Sequence, residues 1–420
     1  METYGKILLV AMPAFLVLIL VEKWYGWKKG NETVHTLDMI SSLASGITNS
    51  VKDVLGLGFA IISYGWLVDH LAIVHVQSSL ALYIIAFFAL DLMGYIVHRI
   101  DHEYNFFWNA HIVHHSSEEF NLACALRQSI STIVRVFTIF LLPAALLGVP
   151  GKIIAVVAPL HLFAQFWYHT RHINKMGWLE KIIVTPSHHR VHHAINKEYM
   201  DKNYGQIFIF WDKWLGTFQE ELPHVPPVYG ITRPVRTWNP IKINFMHMGL
   251  LISDAWHTKN MRDKFRIWLM PTGWRPADVA EKYPVYKIED VYHFEKYHTT
   301  GSTFFKAFIW IQLGILLLLI SYLFGNLALI GSPGIFVYGA FVFVYVYALT
   351  ELMDRNPNAW IYELVKSLFG TGTIFYLNDW YGINRINENF NFIFIPYFLI
   401  SATLAIYFSV VEPKLERAID

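Results

Sequence analysis

Long apolar runs, separated by short polar stretches, dominate the chain. A transmembrane helix needs about 20 consecutive, mostly apolar residues, and eight runs approach this length, although Asp69 and His70 interrupt the second of them. The runs cover residues 7–22, 54–75, 78–97, 129–147, 151–170, 303–324, 328–350 and 390–410. The turn residues between 147 and 151 predict a tight helical hairpin. We therefore predict an all-α polytopic integral membrane protein with about eight transmembrane helices.

Composition supports this prediction and excludes other classes. Of the 420 residues, 55% are hydrophobic and 15% are charged, whereas soluble domains average about 25% charged residues. A net charge of +1 gives no electrostatic basis for binding nucleic acid, and we expect no nucleic-acid partner. The single cysteine, Cys124, excludes an internal disulfide framework.

Basic residues predict the orientation of the chain. Lys23, Lys28 and Lys29 directly follow the first apolar run, and lysines of this kind stay on the cytoplasmic side. Counting the predicted spans forward places residues 98–128 and 171–302 on the same side. We therefore expect a cytoplasmic histidine-rich cap on a bacterial inner membrane or endoplasmic reticulum protein.

Histidines concentrate in two short windows. Eleven of the 20 histidines lie in residues 98–115 and 169–193. His98 and His102 are spaced i, i+4, and two triplets follow i, i+3, i+4, namely His111, His114, His115 and His189, His192, His193. Such a triplet spans about 100° of helical arc, so its three imidazoles can converge on one point. Eight ring nitrogens exceed the ligands of one typical site, and we predict two metal ions with open positions.

These histidines also allow other interpretations. A single histidine at a membrane interface is more often a hydrogen-bonded anchor, but eight crowded imidazoles without a metal would repel or stay unpaired. Imidazole suits zinc, copper, iron or nickel, and the absence of H-E-x-x-H disfavours a zinc protease. His169 is a candidate ninth ligand, while His172 and His188 suit ligand or supporting roles. A divalent-metal transporter is an alternative of another class, although transporters place ligands near the bilayer midplane.

Two stretches resemble a known family. They are HRIDHEYNFFWNAHIVHHSSEEFNLACALRQS at residues 98–129 and TPSHHRVHHAINKEYMDKNYGQIFIFWDKWLGTF at residues 185–218. Both are similar to the fatty acid hydroxylase/sterol desaturase superfamily, whose members are integral-membrane di-iron oxygenases, and especially to its ether-lipid-cleaving branch. The similarity covers roughly residues 80–222. It implies four parts: N-terminal membrane helices (1–76), a histidine-box di-iron oxygenase core (77–222), a cytoplasmic cap segment (223–302) and C-terminal membrane helices (303–420).

The resemblance also implies a function and a ligand set. It implies a monooxygenase that uses O₂ and two iron ions to hydroxylate a lipid C–H bond, cleaving alkyl ether lipids to an aldehyde and a glycerol derivative. A fatty acid or sterol hydroxylase or desaturase is the alternative within the superfamily. Electrons would come from tetrahydrobiopterin or an electron-donor protein. The implied iron ligands are His98, His102, His111, His114, His115, His169, His189, His192 and His193.

Two carboxylates beside the first histidine window are candidate catalytic residues. Glu103 matches an acidic position of the ether-lipid branch, and Glu118 follows the first triplet closely. Carboxylates near metal-bound histidines commonly fix their tautomer. We therefore assign Glu103 and Glu118 as candidates for this role, with simple surface solvation as the alternative.

Overall fold

The computed structural model describes residues 2–57, 59–60, 63–132, 134–135 and 140–414. Apart from a two-residue parallel pairing of β1 (Phe59–Ala60) with β2 (Val134–Arg135), the regular structure in these residues is helical. The α-helices are α1 (Glu2–Lys29), α2 (Thr36–Val54), α3 (Tyr64–Leu71), α4 (Leu80–Glu103), α5 (Asn105–His115), α6 (Leu142–Leu146), α7 (Gly151–Phe163), α8 (Pro186–His192), α9 (Phe210–Leu215), α10 (Pro240–His257), α11 (Met261–Arg266), α12 (Ala277–Lys282), α13 (Thr303–Gly325), α14 (Leu327–Ile330), α15 (Gly334–Met353), α16 (Ala359–Leu377) and α17 (Phe390–Ile406).

Five helices in the described part of the chain are long and apolar enough to cross a membrane. They correspond to five of the predicted apolar runs and support an integral membrane protein. Their bounds as candidate spans are Tyr4–Lys29, Leu80–Glu103, Thr303–Gly325, Gly334–Met353 and Phe390–Lys414.

The other three predicted spans do not appear as long helices among the described residues. After α2, Gly56 takes a positive φ of 64°, and the following α3 has only eight residues. Helix α7 has 13 residues, a length of about 20 Å, which is too short for the hydrocarbon core. The run 129–147 lies partly outside the described residues, and the α-helix in its described part is the five-residue α6. The predicted hairpin of two spanning helices is therefore absent from what is described.

Helices α13, α15, α16 and α17 pack with α1 and α2 around the main apolar core. Residues 357–385 alternate apolar and polar groups, a pattern that predicts a surface helix or re-entrant turn. Instead α16 packs against α15 and α17. Its interrupting residues, Glu363 and Lys366, pair with each other and are fully buried, so they do not require a water-facing surface.

One end of the helical bundle carries the polar cap. Thr170 donates to Glu22 near the C-terminal end of α1, at 2.6 Å. The backbone N–H of Trp238 donates to Asp354 just after α15, at 2.6 Å. The C-terminal end of α4 carries the first two histidines of the predicted ligand set. Residues 98–128 and 171–302 therefore meet on a common face of the spanning helices.

Candidate metal centre

The nine histidines of the predicted ligand set lie together, in two adjacent groups. The first group is His98, His102, His111, His115 and His192, and the second is His114, His169, His189 and His193. Within each group the candidate ligand nitrogens lie within 4.8 Å of one another. Metal–imidazole bonds of about 2.0–2.1 Å place opposite ligands about 4 Å apart. Each group therefore has a spacing suited to one ion, and neither group contains a carboxylate among the described residues.

Helical geometry explains how the two groups are divided. The expectation that each triplet converges on one point is wrong, because each triplet contributes to both groups. Positions i and i+4 lie about 40° apart around a helix, whereas i+3 lies about 100° from i+4. His111 and His115 therefore point to the first group while His114 points to the second. In the second triplet, His189 and His193 point to the second group and His192 points to the first. Each triplet therefore supplies ligands to both groups.

Backbone carbonyls fix the orientation and tautomer of four of these rings. A carbonyl only accepts hydrogen bonds, so an imidazole Nδ1 that contacts one must carry the proton and leave Nε2 as a lone pair. The contacts are His98 Nδ1 to Tyr204 O at 2.8 Å, His192 Nδ1 to Lys202 O at 3.0 Å, His169 Nδ1 to Gln165 O at 3.0 Å and His114 Nδ1 to Arg127 O at 3.3 Å. This is the arrangement that metal-bound histidines ordinarily show.

The nitrogens that remain face each other at short range. The Nε2 atoms of His114 and His169 lie 3.4 Å apart, although both rings use Nδ1–H on a carbonyl, so neither Nε2 carries a proton to donate. Nε2 of His102 is buried and has no hydrogen-bond partner in the part of the chain that the structure describes. Buried lone pairs without a donor are costly, and a shared cation would satisfy them. The donor set and its geometry therefore fit a pair of metal ions.

Burial keeps the ligand rings neutral and ready to bind a cation. It lowers the pKa of His169 to about 4, and it lowers the pKa of His114 and His193 well below the usual value, with help from neighbouring histidines. The same direction holds for His111, His115, His189 and His192. Metal ligands must be deprotonated, so this direction of shift favours metal binding.

A buried carboxylate positions the carbonyl that holds His98. Asp212 accepts hydrogen bonds from the backbone N–H groups of Tyr204 and Gly205, both at 2.7 Å, and from the Thr217 hydroxyl at 2.7 Å. A Cβ at Gly205 would lie 2.7 Å from Asp212 Oδ2 and 2.8 Å from a backbone oxygen. Only glycine therefore allows this tight loop, which turns the Tyr204 carbonyl toward His98.

A second carboxylate, Asp91, fastens the same loop to α4. It accepts from the backbone N–H of Ile207 at 2.9 Å and from the Trp211 indole at 2.8 Å, and it contacts His161 at 2.6 Å. Asp91 is not among the site residues predicted from the sequence. Its position inside an otherwise apolar run was the available signal, because ionisable residues in such runs are rare and have partners.

The two candidate catalytic carboxylates lie outside the histidine groups. Glu103 pairs with Arg99 at 2.7 Å and is partly exposed. Glu118 accepts from the backbone N–H of Tyr297 at 2.6 Å and lines a separate cavity of about 450 Å³. Their catalytic roles remain predictions. His172, which contacts the Thr33 hydroxyl at 3.1 Å, and His188, at the start of α8, also lie outside both groups.

A cavity of about 280 Å³ opens onto the histidines from the cap. Its lining includes His102, His115, His192 and His193. Its walls combine apolar side chains with three cationic ones, namely Trp108, Ile112, Met200, Met246, Leu250, Val285, Arg233, Arg275 and Lys287. Such a cavity can admit a ligand that is partly apolar and partly polar to the edge of the candidate metal centre.

Comparisons with known proteins relate this architecture to a family. The fatty acid hydroxylase family model matches residues 83–217. Alkylglycerol monooxygenase of Homo sapiens is 32% identical over 366 residues, covering 85% of this chain and 80% of that protein. The Danio rerio alkylglycerol monooxygenase is also 32% identical, covering 87% of this chain and 81% of that protein. No solved structure matches the chain.

A more distant similarity covers only part of the chain. Ornithine lipid hydroxylase OlsE of Rhizobium tropici is 31% identical over 134 residues, which is 32% of this chain and 39% of that protein. The alkylglycerol monooxygenases match over most of both chains. The chain therefore belongs to the alkylglycerol monooxygenase family.

Proposed function

We propose that this protein is a di-iron monooxygenase that cleaves alkyl ether lipids. With O₂, two electrons and two protons, the carbon next to the ether oxygen gains a hydroxyl group, and the second oxygen atom leaves as water. The resulting hemiacetal breaks its bond to the glycerol oxygen and gives a fatty aldehyde and a glycerol derivative. The observation that carries the proposal is the pair of histidine groups, in a chain related to alkylglycerol monooxygenases over most of its length.

The two irons would be held by the nine histidines, and when bound they would supply the activation of O₂. The chain's own contribution is positioning and shielding. Carbonyls such as those of Tyr204 and Lys202 hold the rings, and the cavity admits a lipid beside His102 and His115. A reacting C–H bond held next to the site, away from bulk water, needs less reorganisation to react.

The source of electrons is proposed to be tetrahydrobiopterin, with an electron-donor protein as the alternative. The support for a pterin is the cavity of about 450 Å³ that Glu118 lines. The aromatic residues Trp238 and Tyr297 line the same cavity. It adjoins the second histidine group through Arg127, whose carbonyl contacts His114. A carboxylate can accept from the N–H groups of an aminopyrimidine ring. Equilibrium dialysis should show weaker pterin binding to Glu118→Gln than to the unmodified protein.

The proposed location is a bacterial inner membrane or the endoplasmic reticulum, with the active site on the cytoplasmic side. The support is the lysine-rich end of α1, which lies at the cap end of the bundle. Lys23 donates to the Val34 carbonyl at 2.6 Å beside the cap. Basic residues that flank a first span favour the cytoplasmic side.

A lipid hydroxylase that does not cleave its substrate is the second candidate. The partial similarity to an ornithine lipid hydroxylase favours it, and a fatty acid or sterol hydroxylase or desaturase belongs to the same class. A metal transporter fits less well, because the histidine groups lie at helix ends and in the cap, whereas transporters bind ions near the bilayer midplane.

The test is a reaction in lipid nanodiscs with iron-loaded protein, a reductant, ¹⁸O₂ and a 1-O-alkylglycerol. The proposal predicts a fatty aldehyde, formed with consumption of O₂ and absent from a His114→Ala variant. His172→Ala, which changes a histidine outside both groups, should retain activity. Formation of a stable hydroxylated lipid without aldehyde would favour the second candidate, and no O₂-dependent product would contradict both.

A further inference from the structure

We propose that Arg233, assisted by Lys287, binds the anionic phosphate of an ether lipid in the cavity above the histidines. This inference rests on the proposed function and adds a substrate class to it. The substrate would be a phosphate-bearing alkylglycerol. Its head group would lie against the cap and its ether bond against the histidine groups.

The first support is that Arg233 has no hydrogen-bonded or ion-pair partner among the described residues. Its side chain is partly buried and lines the cavity. No side chain or carbonyl among the described residues accepts a hydrogen bond from its guanidinium. Burial, and then the nearby Arg275, lower the pKa of Arg233, while Asp254 opposes the shift in part. A partly buried charge without a hydrogen-bonded partner loses some of its hydration, and an anionic ligand would offset that cost.

The neighbouring arginine provides a contrast within the same cavity. Arg275 forms a two-point ion pair with Asp254, with nitrogen–oxygen distances of 2.6 and 2.8 Å. Its charge is therefore already satisfied by the fold. Lys287 also lines the cavity and has no ion-pair partner among the described residues, whereas Asp201 is the one acidic side chain of the lining. The cations outnumber the acid, so the cavity favours an anion.

The second support is the shape of the cavity. Arg233 and Lys287 share it with His102 and His115, so one bound molecule can contact the cations and the histidines together. Trp108, Met246 and Leu250 line the space as well and suit the carbon atoms of a lipid. Arginine binds phosphate through two parallel N–H groups, which would set the orientation of the lipid before reaction.

The test compares three ligands and three proteins. The ligands are 1-O-hexadecylglycerol 3-phosphate, 1-O-hexadecylglycerol and inorganic phosphate, and the proteins are the unmodified chain, Arg233→Gln and Arg236→Gln. Arg236 is a matched control, because it is exposed, three residues away, and stacks on the Tyr286 ring outside this cavity. Binding is measured without O₂ on protein in nanodiscs, and kcat/KM is measured separately.

Because the Arg233 guanidinium would donate a charge-assisted pair of hydrogen bonds to the phosphate, we expect Arg233→Gln to weaken binding of the phosphate lipid about 10- to 100-fold. The loss should appear in KM, while binding of the neutral lipid changes less than about threefold. Arg233→Lys should recover part of the loss, and Arg236→Gln should show none. Equal losses for both lipids, or inorganic phosphate binding as tightly as the phosphate lipid, would overturn the inference. If neither lipid reacts, the proposed function fails, while the binding data still decide the role of Arg233.

Discussion

The buried carboxylate of Asp212 offers a direct test of how the first histidine group is held. In Asp212→Asn, one oxygen that accepts a backbone N–H is replaced by an amide NH₂, which cannot accept. Hydrogen bonds to a charged group contribute about 1.5–3 kcal/mol each. Asp212 receives three of them, but the amide oxygen retains some, so we expect a loss of about 2–4 kcal/mol in the free energy of unfolding.

The effect on metal binding should be selective. The loop that Asp212 holds carries the Tyr204 carbonyl, which contacts His98 of the first group. Loss of such a supporting contact commonly lowers metal affinity about 10- to 100-fold. Iron(II) titration of anaerobic, metal-free protein against a competing chelator should show one weakened site and one unchanged site.

A matched control separates this effect from general destabilisation. Asp354 also accepts a backbone N–H, from Trp238 at 2.6 Å, but it lies at the end of α15. Asp354→Asn should leave both iron affinities unchanged. If Asp212→Asn weakened both sites equally, or neither, the proposed link from Asp212 to the first group would be refuted.

Three further predictions concern stability. Replacing Glu363 or Lys366 alone with a neutral residue should lower the free energy of unfolding by about 3–5 kcal/mol, because it leaves a buried charge unpaired. Replacing both with apolar residues should cost much less. Thermal unfolding in detergent measures these losses, and equal losses for the single and double replacements would contradict the buried pair. Burial lowers the pKa of His247 to about 4. Below pH 6.5 the imidazole is therefore protonated in the unfolded chain before it is protonated in the folded chain, so the free energy of unfolding falls as the pH falls. Between pH 7 and 4 the unmodified protein should therefore lose about 3 kcal/mol more than His247→Asn, as denaturant unfolding at each pH would show, and parallel pH profiles would contradict the assignment. Removing iron with a chelator should lower the unfolding temperature, since the ion binds only the folded chain, and restoring iron should reverse the change.

Much of the fold could be predicted because membrane helices follow from apolar length alone. Helices α1, α4, α13, α15 and α17 coincide with apolar runs. The prediction failed for α16, where Glu363 and Lys366 satisfy each other inside the protein, a pairing that a hydropathy pattern does not contain. It also failed for residues 151–170, where α7 ends at Phe163 and the chain turns so that the Gln165 carbonyl can contact His169.

The ligand set was more predictable than its arrangement. Spacing and family resemblance selected nine histidines, and the structure brings all nine together. His114 belongs to the second group and His192 to the first. This division depends on how α5 and α8 face each other, which sequence spacing does not specify. The role of Asp212 depends in the same way on a loop closed by tertiary contacts.

Mössbauer spectroscopy of protein loaded anaerobically with isotope-enriched iron tests the central claim most directly. Two adjacent histidine groups predict about two irons per chain, in two nitrogen-rich environments of equal intensity, because the groups supply five and four ligands. Loss of one environment is expected in His169→Ala. A single iron environment at one iron per chain, or iron that survives in both environments after this change, would contradict the two-site account.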